Sequence, residues 1–300
     1  MRDYAITTDS SCDFDQALAD SLGVTVVPLS VQIGPRRFRN APGEAMDSHS
    51  FYQLLSQGEL AQTSAPNVEE FKAVWRPILQ SGRDLLYLGF SSGLSGTYHN
   101  AAIAAEDLRE EFPEARIITV DTLCASLGQG MLVDLTVQEK RQGKTLDEAA
   151  AFAEKNRLYL CHWFTVGDLS QLRRGGRLSA GKAIVGNLLN IKPVLHVDDE
   201  GHLVPMASAK GRKKSIEALV SHMEESAVAP EQQRVYISHG DCLADAQLLA
   251  QMVRDRLHVS SVTIGDVGPV IGAHSGAGTL ALFFVGTNRY GQPDLSNLIG

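Results

Sequence analysis

Four short loops hold most of the residues whose types and spacing suit chemistry. Thr63-Ser64-Ala65-Pro66-Asn67 sets two hydroxyls just ahead of a helix start. Free amides and the helix dipole favour an anion there, although the same residues also serve as ordinary capping. Ser91-Ser92-Gly93-Leu94-Ser95-Gly96-Thr97-Tyr98 concentrates three serines and a threonine, and Gly93 and Gly96 let ligand and backbone approach closely. Gly272-Ala273-His274-Ser275-Gly276-Ala277-Gly278 surrounds His274 with little apolar sequence, which suits a donor to an anion or a base better than a core residue. The fourth loop is basic: Arg173, Arg174 and Arg177 flank Gly175-Gly176. A further cluster, Lys210-Gly211-Arg212-Lys213-Lys214, follows it. Both suit phosphate or an acidic protein surface, or else a solvated turn and helix start.

Two catalytic or cofactor readings arise from these loops. Gly93-Leu94-Ser95-Gly96-Thr97 approximates a nucleophile elbow, G-x-S-x-G, without its last glycine. Ser95, Asp121 and His274 then follow the chain order of an α/β-hydrolase triad. Such residues occur in some order in most chains of this length. Gly276-Ala277-Gly278-Thr279-Leu280-Ala281 fits a loose dinucleotide pattern, but it runs into an apolar strand-like stretch rather than a helix, which excludes that reading. There is no Walker loop, H-E-x-x-H or EF-hand, and the nine histidines are scattered. Cys12, Cys124, Cys161 and Cys242 form no C-x-x-C pair, so neither zinc nor a redox dithiol is signalled; they read as reduced thiols. No metal and no cofactor are expected.

The loops need elements to hold them. Tyr4–Thr8, Asp84–Gly89 and Ala115–Val120 read as strands, and Val24–Ile33 as extended chain. Asn67-Val68-Glu69-Glu70 and Thr145-Leu146-Asp147-Glu148 are capping boxes that open helices to about Gln80 and Arg157. Further helices are expected from Thr97 to Glu111 and from Ser126 to Gln142. This alternation predicts a parallel sheet with helical crossovers, and ligands bind beyond the carboxyl ends of such strands. In the second half, Cys161–Val166, Arg234–His239, Ser261–Asp266 and Leu280–Val285 read as strands, and Lys213–Ala227 and Ala244–Leu257 as helices. Asn190–Val197 and His202–Ala207 suit a hairpin around Asp199-Glu200-Gly201, and Gly268–Gly278 reads as a loop.

A length of 300 residues suggests two domains, with a boundary near residue 160: 1–160 and 161–300. With 44% hydrophobic residues the chain can bury a sizeable core and still enclose an apolar cavity. A net charge of −8 argues against nucleic acid as the main partner. The polar N-terminus lacks a signal-peptide core and no apolar run reaches bilayer length, so a cytoplasmic protein is expected.

Taken in order, the motifs resemble the DegV family over essentially the whole chain. They are Thr8-Asp9-Ser10-Ser11-Cys12-Asp13, Thr63-Ser64-Ala65-Pro66, Ser91 to Tyr98, Leu172-Arg173-Arg174-Gly175-Gly176-Arg177, Asn190-Ile191-Lys192-Pro193 and Gly272 to Gly278. The resemblance implies two α/β domains, the first of parallel type, with a ligand tunnel between them. It implies a lipid-binding protein rather than an enzyme, holding a long-chain, palmitate-like fatty acid. It also implies a role, as in bacterial fatty-acid kinase, of presenting the carboxylate to a separate kinase subunit. On that resemblance Thr63, Ser64 and Ser95 bond the carboxylate and His274 sits at the same head group. Ser92, Gly96, Arg174 and Arg177 are head-group or partner contacts, and Arg212 lies in the kinase-docking stretch. Two departures bear on the mouth or the preferred chain: Ala65-Pro66-Asn67 where members often carry Gln then Pro-Ser, and Thr122 where Ser is usual. The open alternative is a serine hydrolase of acyl esters using Ser95 and His274.

The energetics agree with the carrier reading. Burying about fourteen methylenes at ~0.8 kcal/mol each contributes on the order of 10 kcal/mol, enough to outweigh the lower range of association costs. The head group then needs only to be satisfied.

Overall fold

The computed structural model describes residues 2–167, 169–178, 190–287 and 289. In chain order the strands are β1 (Tyr4–Asp9), β2 (Thr25–Val27), β3 (Ser30–Ile33), β4 (Arg36–Arg39), β5 (Ala61–Ser64), β6 (Asp84–Gly89) and β7 (Ile117–Asp121), then β8 (Leu160–Thr165), β9 (Ile191–Val197), β10 (Leu203–Lys210), β11 (Arg234–His239), β12 (Ser261–Asp266) and β13 (Leu280–Val285). The helices are α1 (Gln16–Leu22), α2 (Ser48–Ser56), α3 (Val68–Gln80), α4 (Thr97–Glu111), α5 (Ser126–Arg141), α6 (Leu146–Asn156), α7 (Ser170–Arg174), α8 (Arg212–Ser226), α9 (Leu243–Leu257) and α10 (Pro269–Ser275).

The first sheet has the order β2-β1-β6-β7 with every pair parallel, as the alternation predicts. β1 and β6 are buried along their whole length, which is what helices on both faces require. Alternation along β6 divides that cover. Leu85 and Tyr87 join Phe71 and Trp75 of α3, whereas Leu86 and Leu88 join Met131 of α5 and Ala149 of α6. Both predicted capping boxes form with their reciprocal bonds, at α3 and α6. α1 and α2 were not predicted. Each opens at a single aspartate, Asp15 or Asp47, which accepts the amide of Leu18 or Ser50.

The second sheet, β10-β9-β8-β13-β11-β12, is antiparallel at every neighbouring pair except β11 and β12. β9 and β10 form the predicted hairpin. Along β13, Leu280, Leu282 and Phe284 pack with α8 and α9, while Ala281 and Phe283 join the cluster that holds α5. α5 is the shared element. It packs on β1 and β6 of one sheet and on β8, β11 and β13 of the other, so Ser126 through Asp134 are all buried.

A small antiparallel sheet, β4-β3-β5, comes from the first half of the chain. It packs with α2 on α10: Val31, Ile33, Phe51 and Tyr52 meet Val267, Val270 and Ala273. α10 corrects the reading of 268–278 as a loop. Gly272 weakens its helix propensity, but Pro269 at its start is pre-set for a helix, and buried Val270 and Ala273 tie it to the small sheet. Among the described residues no helix is long and apolar enough to cross a membrane.

Candidate ligand-binding site

Loops at the carboxyl ends of β6 and β7 close over an apolar cavity of about 220 Å³, the expected position for a ligand beside a parallel sheet. Its wall includes Phe90, Leu94, Phe164, Leu172, Ile271 and Phe283. A more polar outer pocket of about 350 Å³ adjoins it. The two share Thr63, Arg177 and His274, which therefore form the neck.

Thr63 reaches the neck from β5, and its Oγ1 lies 2.9 Å from His274 Nε2. Burial, followed by the charge of Arg177, pushes His274 down to about 4, so the imidazole is neutral at neutral pH. A carboxylate only accepts hydrogen bonds. The tautomer that suits it carries the proton on Nε2, donates to Thr63 and leaves the Thr63 hydroxyl free to donate. His274 Nδ1 faces the basic turn so closely that a Cβ on Gly175 would lie 2.5 Å from it. Ser95 lines the cavity beside the neck. Its Oγ accepts the Thr97 amide at 3.2 Å and lies 2.8 Å from Thr97 Oγ1. Arg177 donates from Nε to the Leu94 carbonyl at 3.2 Å, and also to the Gly175 carbonyl. The neck thus joins the Thr63 hydroxyl, a neutral imidazole and a guanidinium, with the Ser95 hydroxyl on the cavity side.

The serine loop is held from the second sheet. Ser91 Oγ donates to the Gly201 carbonyl at 2.9 Å, at the tip of the β9–β10 hairpin. Gly201 has φ +79°, and a side chain there would collide with Ser91.

Other predicted residues are placed differently. Ser64 is exposed, because strand alternation sends Thr63 inward and its neighbours outward; the expectation that both hydroxyls meet one carboxylate is corrected. Ser92 is also exposed, with its amide on Asp121 at 3.2 Å. Gly96 lines the cavity, whereas exposed Arg174 borders only the outer pocket. Arg212 borders neither pocket. Its Nε bonds Asp245 at 2.8 Å and a second nitrogen lies 3.3 Å from Cys242 Sγ. The triad of the hydrolase alternative is not assembled: Ser95 bonds Thr97, His274 bonds Thr63, and Asp121 accepts the amides of Ser92 and Leu123.

Sequence reasoning missed the polar groups elsewhere in the cavity. Ser126, Ser238 and Ser275 line it, and Ser126 donates to half-buried Asp13. Asp13 stands in the first motif, but nothing local to it points to Ser126. Burial raises its carboxyl to about 8, against the hydrogen bonds from Ser126 and Gly268.

Fold and site together define an α/β protein that encloses an apolar cavity behind a polar neck. Residues 3–287 match the family model described as an uncharacterised protein of the DegV family. A DegV domain-containing protein of Clostridium perfringens is 41% identical over 96% of this chain and 99% of its own length. The chain belongs to the DegV family. Among solved structures, that of a DegV family protein from Thermus thermophilus, described for its fatty acid binding, is 33% identical with a TM-score of 0.85, covering 94% of this chain and 99% of that one. DegV of Bacillus subtilis, described as a fatty acid binding protein, is 27% identical with a TM-score of 0.82, covering 94% and 99%.

Proposed function

We propose that this chain binds one long-chain fatty acid, its tail in the cavity and its carboxylate at the neck, and is not itself a catalyst. The observation that carries the reading is the junction of an apolar cavity with the neck group of Thr63, Ser95, Arg177 and His274. An apolar cavity suits the tail, and convergent donors with one positive charge satisfy the anion that would otherwise be costly to bury. The fatty-acid-binding relatives support the same ligand class. Mass spectrometry of an organic extract of the purified protein tests this. A stoichiometric fatty acid is expected, palmitate-like in length. An empty extract, with no uptake of added fatty acid, refutes it.

The reading extends to presentation of the carboxylate to a separate kinase subunit. The outer pocket, with exposed Arg174, gives a route from outside to the head group. Exposed Lys213 and Lys214 beside Arg212 form a basic face for an acidic partner. Arg212→Glu should block kinase-dependent acyl-phosphate formation while leaving fatty-acid binding intact. Unchanged phosphorylation would remove this role.

A further inference from the structure

Beyond the neck, three serines reach the same cavity: Ser126, Ser238 and Ser275. Ser275 is only 6% exposed, and its hydroxyl has no hydrogen-bond partner among the described residues. Against a plain hydrocarbon tail it would stay unpaired, with its desolvation unrecovered. Ser126 and Ser238 are linked, their oxygens 3.0 Å apart. Ser126 donates to Asp13, which also accepts the Gly268 amide at 3.1 Å. A hydroxyl has one hydrogen to give. With that of Ser126 on Asp13, Ser238 donates to Ser126 and keeps its lone pairs for the cavity; with a protonated Asp13 donating to Ser126, Ser126 donates to Ser238, which keeps its own hydrogen for the cavity. Neither Ser126 nor Ser238 borders the outer pocket. The wall therefore holds an unused hydroxyl at Ser275 and an unused donor or acceptor at Ser238.

A methylene satisfies neither group, whereas a hydroxyl on the ligand both donates and accepts. We propose that the cavity takes fatty acids hydroxylated along the chain, the hydroxyl meeting Ser275 or the Ser238–Ser126 pair; this rests on the fatty-acid reading above. In a uniformly apolar cavity a chain hydroxyl is penalised wherever it falls. Here the penalty is lifted at the carbon that reaches these serines.

The test is a competition series on the full-length protein. Stearic acid and hydroxystearic acids differing in hydroxyl position displace a fluorescent fatty acid from wild type, Ser275→Ala and Ser238→Ala, with thermal melts confirming that each variant is folded. The expected result is a loss of about tenfold or more for most positions, corresponding to ~1.4 kcal/mol, and affinity equal to stearic acid or better at one position or an adjacent pair. That sparing should vanish in Ser275→Ala or Ser238→Ala while stearic acid binds no weaker than to wild type. A uniform penalty, or a sparing that survives both substitutions, overturns the proposal. So does a Ser275→Ala loss as large for stearic acid as for the hydroxylated acids, since it would put Ser275 on the carboxylate. If stearic acid itself fails to bind, the fatty-acid reading falls as well; stearic acid binding with a uniform penalty removes only this inference.

Discussion

Thr63→Val removes one hydroxyl from the neck. Valine keeps the β-branched shape that suits β5, where Thr63 pairs with Val31, and removes only the hydroxyl. Two bonds are lost: the one Thr63 would give the carboxylate and the 2.9 Å contact with His274. A hydrogen bond to a charged group contributes about 1.5–3 kcal/mol. At ~1.4 kcal/mol per tenfold, the dissociation constant for palmitate should rise about 10- to 100-fold. Binding should persist, because Ser95 and Arg177 remain at the neck and burial of the tail, on the order of 10 kcal/mol, is untouched. Methyl palmitate offers only a neutral acceptor, whose bond contributes about 0.5–1.5 kcal/mol, so its loss should stay within about tenfold. Displacement of a fluorescent fatty acid from delipidated protein measures both ligands. Palmitate affinity within twofold of wild type, or equal losses for acid and ester, would refute the assignment of Thr63 to the carboxylate.

Three further outcomes follow from the same geometry. Ser64→Ala should leave palmitate affinity within about twofold of wild type, since a side chain on the outer face of β5 falls among surface changes of small effect; a large loss in the displacement assay would return Ser64 to the site. Gly175 has φ −72°, which alanine adopts freely, but its Cβ would press on His274. Gly175→Ala should therefore melt close to wild type yet bind palmitate about tenfold or more weaker, and unchanged affinity would show that the new methyl group does not displace His274 from the ligand. Asp13 titrates near 8 when folded, against 3.8 as the ordinary value. The folded state holds the extra proton between those values, so this contribution to stability is fully present below 3.8 and is lost as pH rises through about 8. Asp13→Asn should flatten the decline in denaturant midpoint between pH 6.5 and 8. That window lies above the acid range in which His274, depressed from 6.5 to about 4, lowers stability as pH falls. Asp9 is raised too, so some slope remains; an unaltered slope would mean Asp13 is already ionised.

Much of the fold was legible because its signals are local. The capping boxes at Asn67 and Thr145 act within one turn of their own helices, and the β9–β10 hairpin closes around neighbouring residues. The apolar run of β6 announced a strand covered on both faces. The neck residues Thr63, Ser95 and His274 were legible as types in polar loops, and the order of their motifs pointed to one family. Where those loops meet was not legible. Thr63 and His274 are 211 positions apart, and the separation of Thr63 from Ser64 depends on which face of β5 is buried, which is decided by α10 packing on the small sheet.

The sequence by itself determined many of the elements, the parallel first sheet, the family and the polar loops, because caps, turns and periodic burial act between residues close in the chain. Only the tertiary structure decided that 269–275 is a helix, that Ser64 faces out, that Arg212 is paired with Asp245, and that Ser126 and Ser238 meet in the cavity wall with Asp13 bonded to Ser126. Each of these depends on contacts between segments far apart in sequence. Such contacts are set by which faces the sheets and α5 bury together, a property of the packed chain that no local pattern carries.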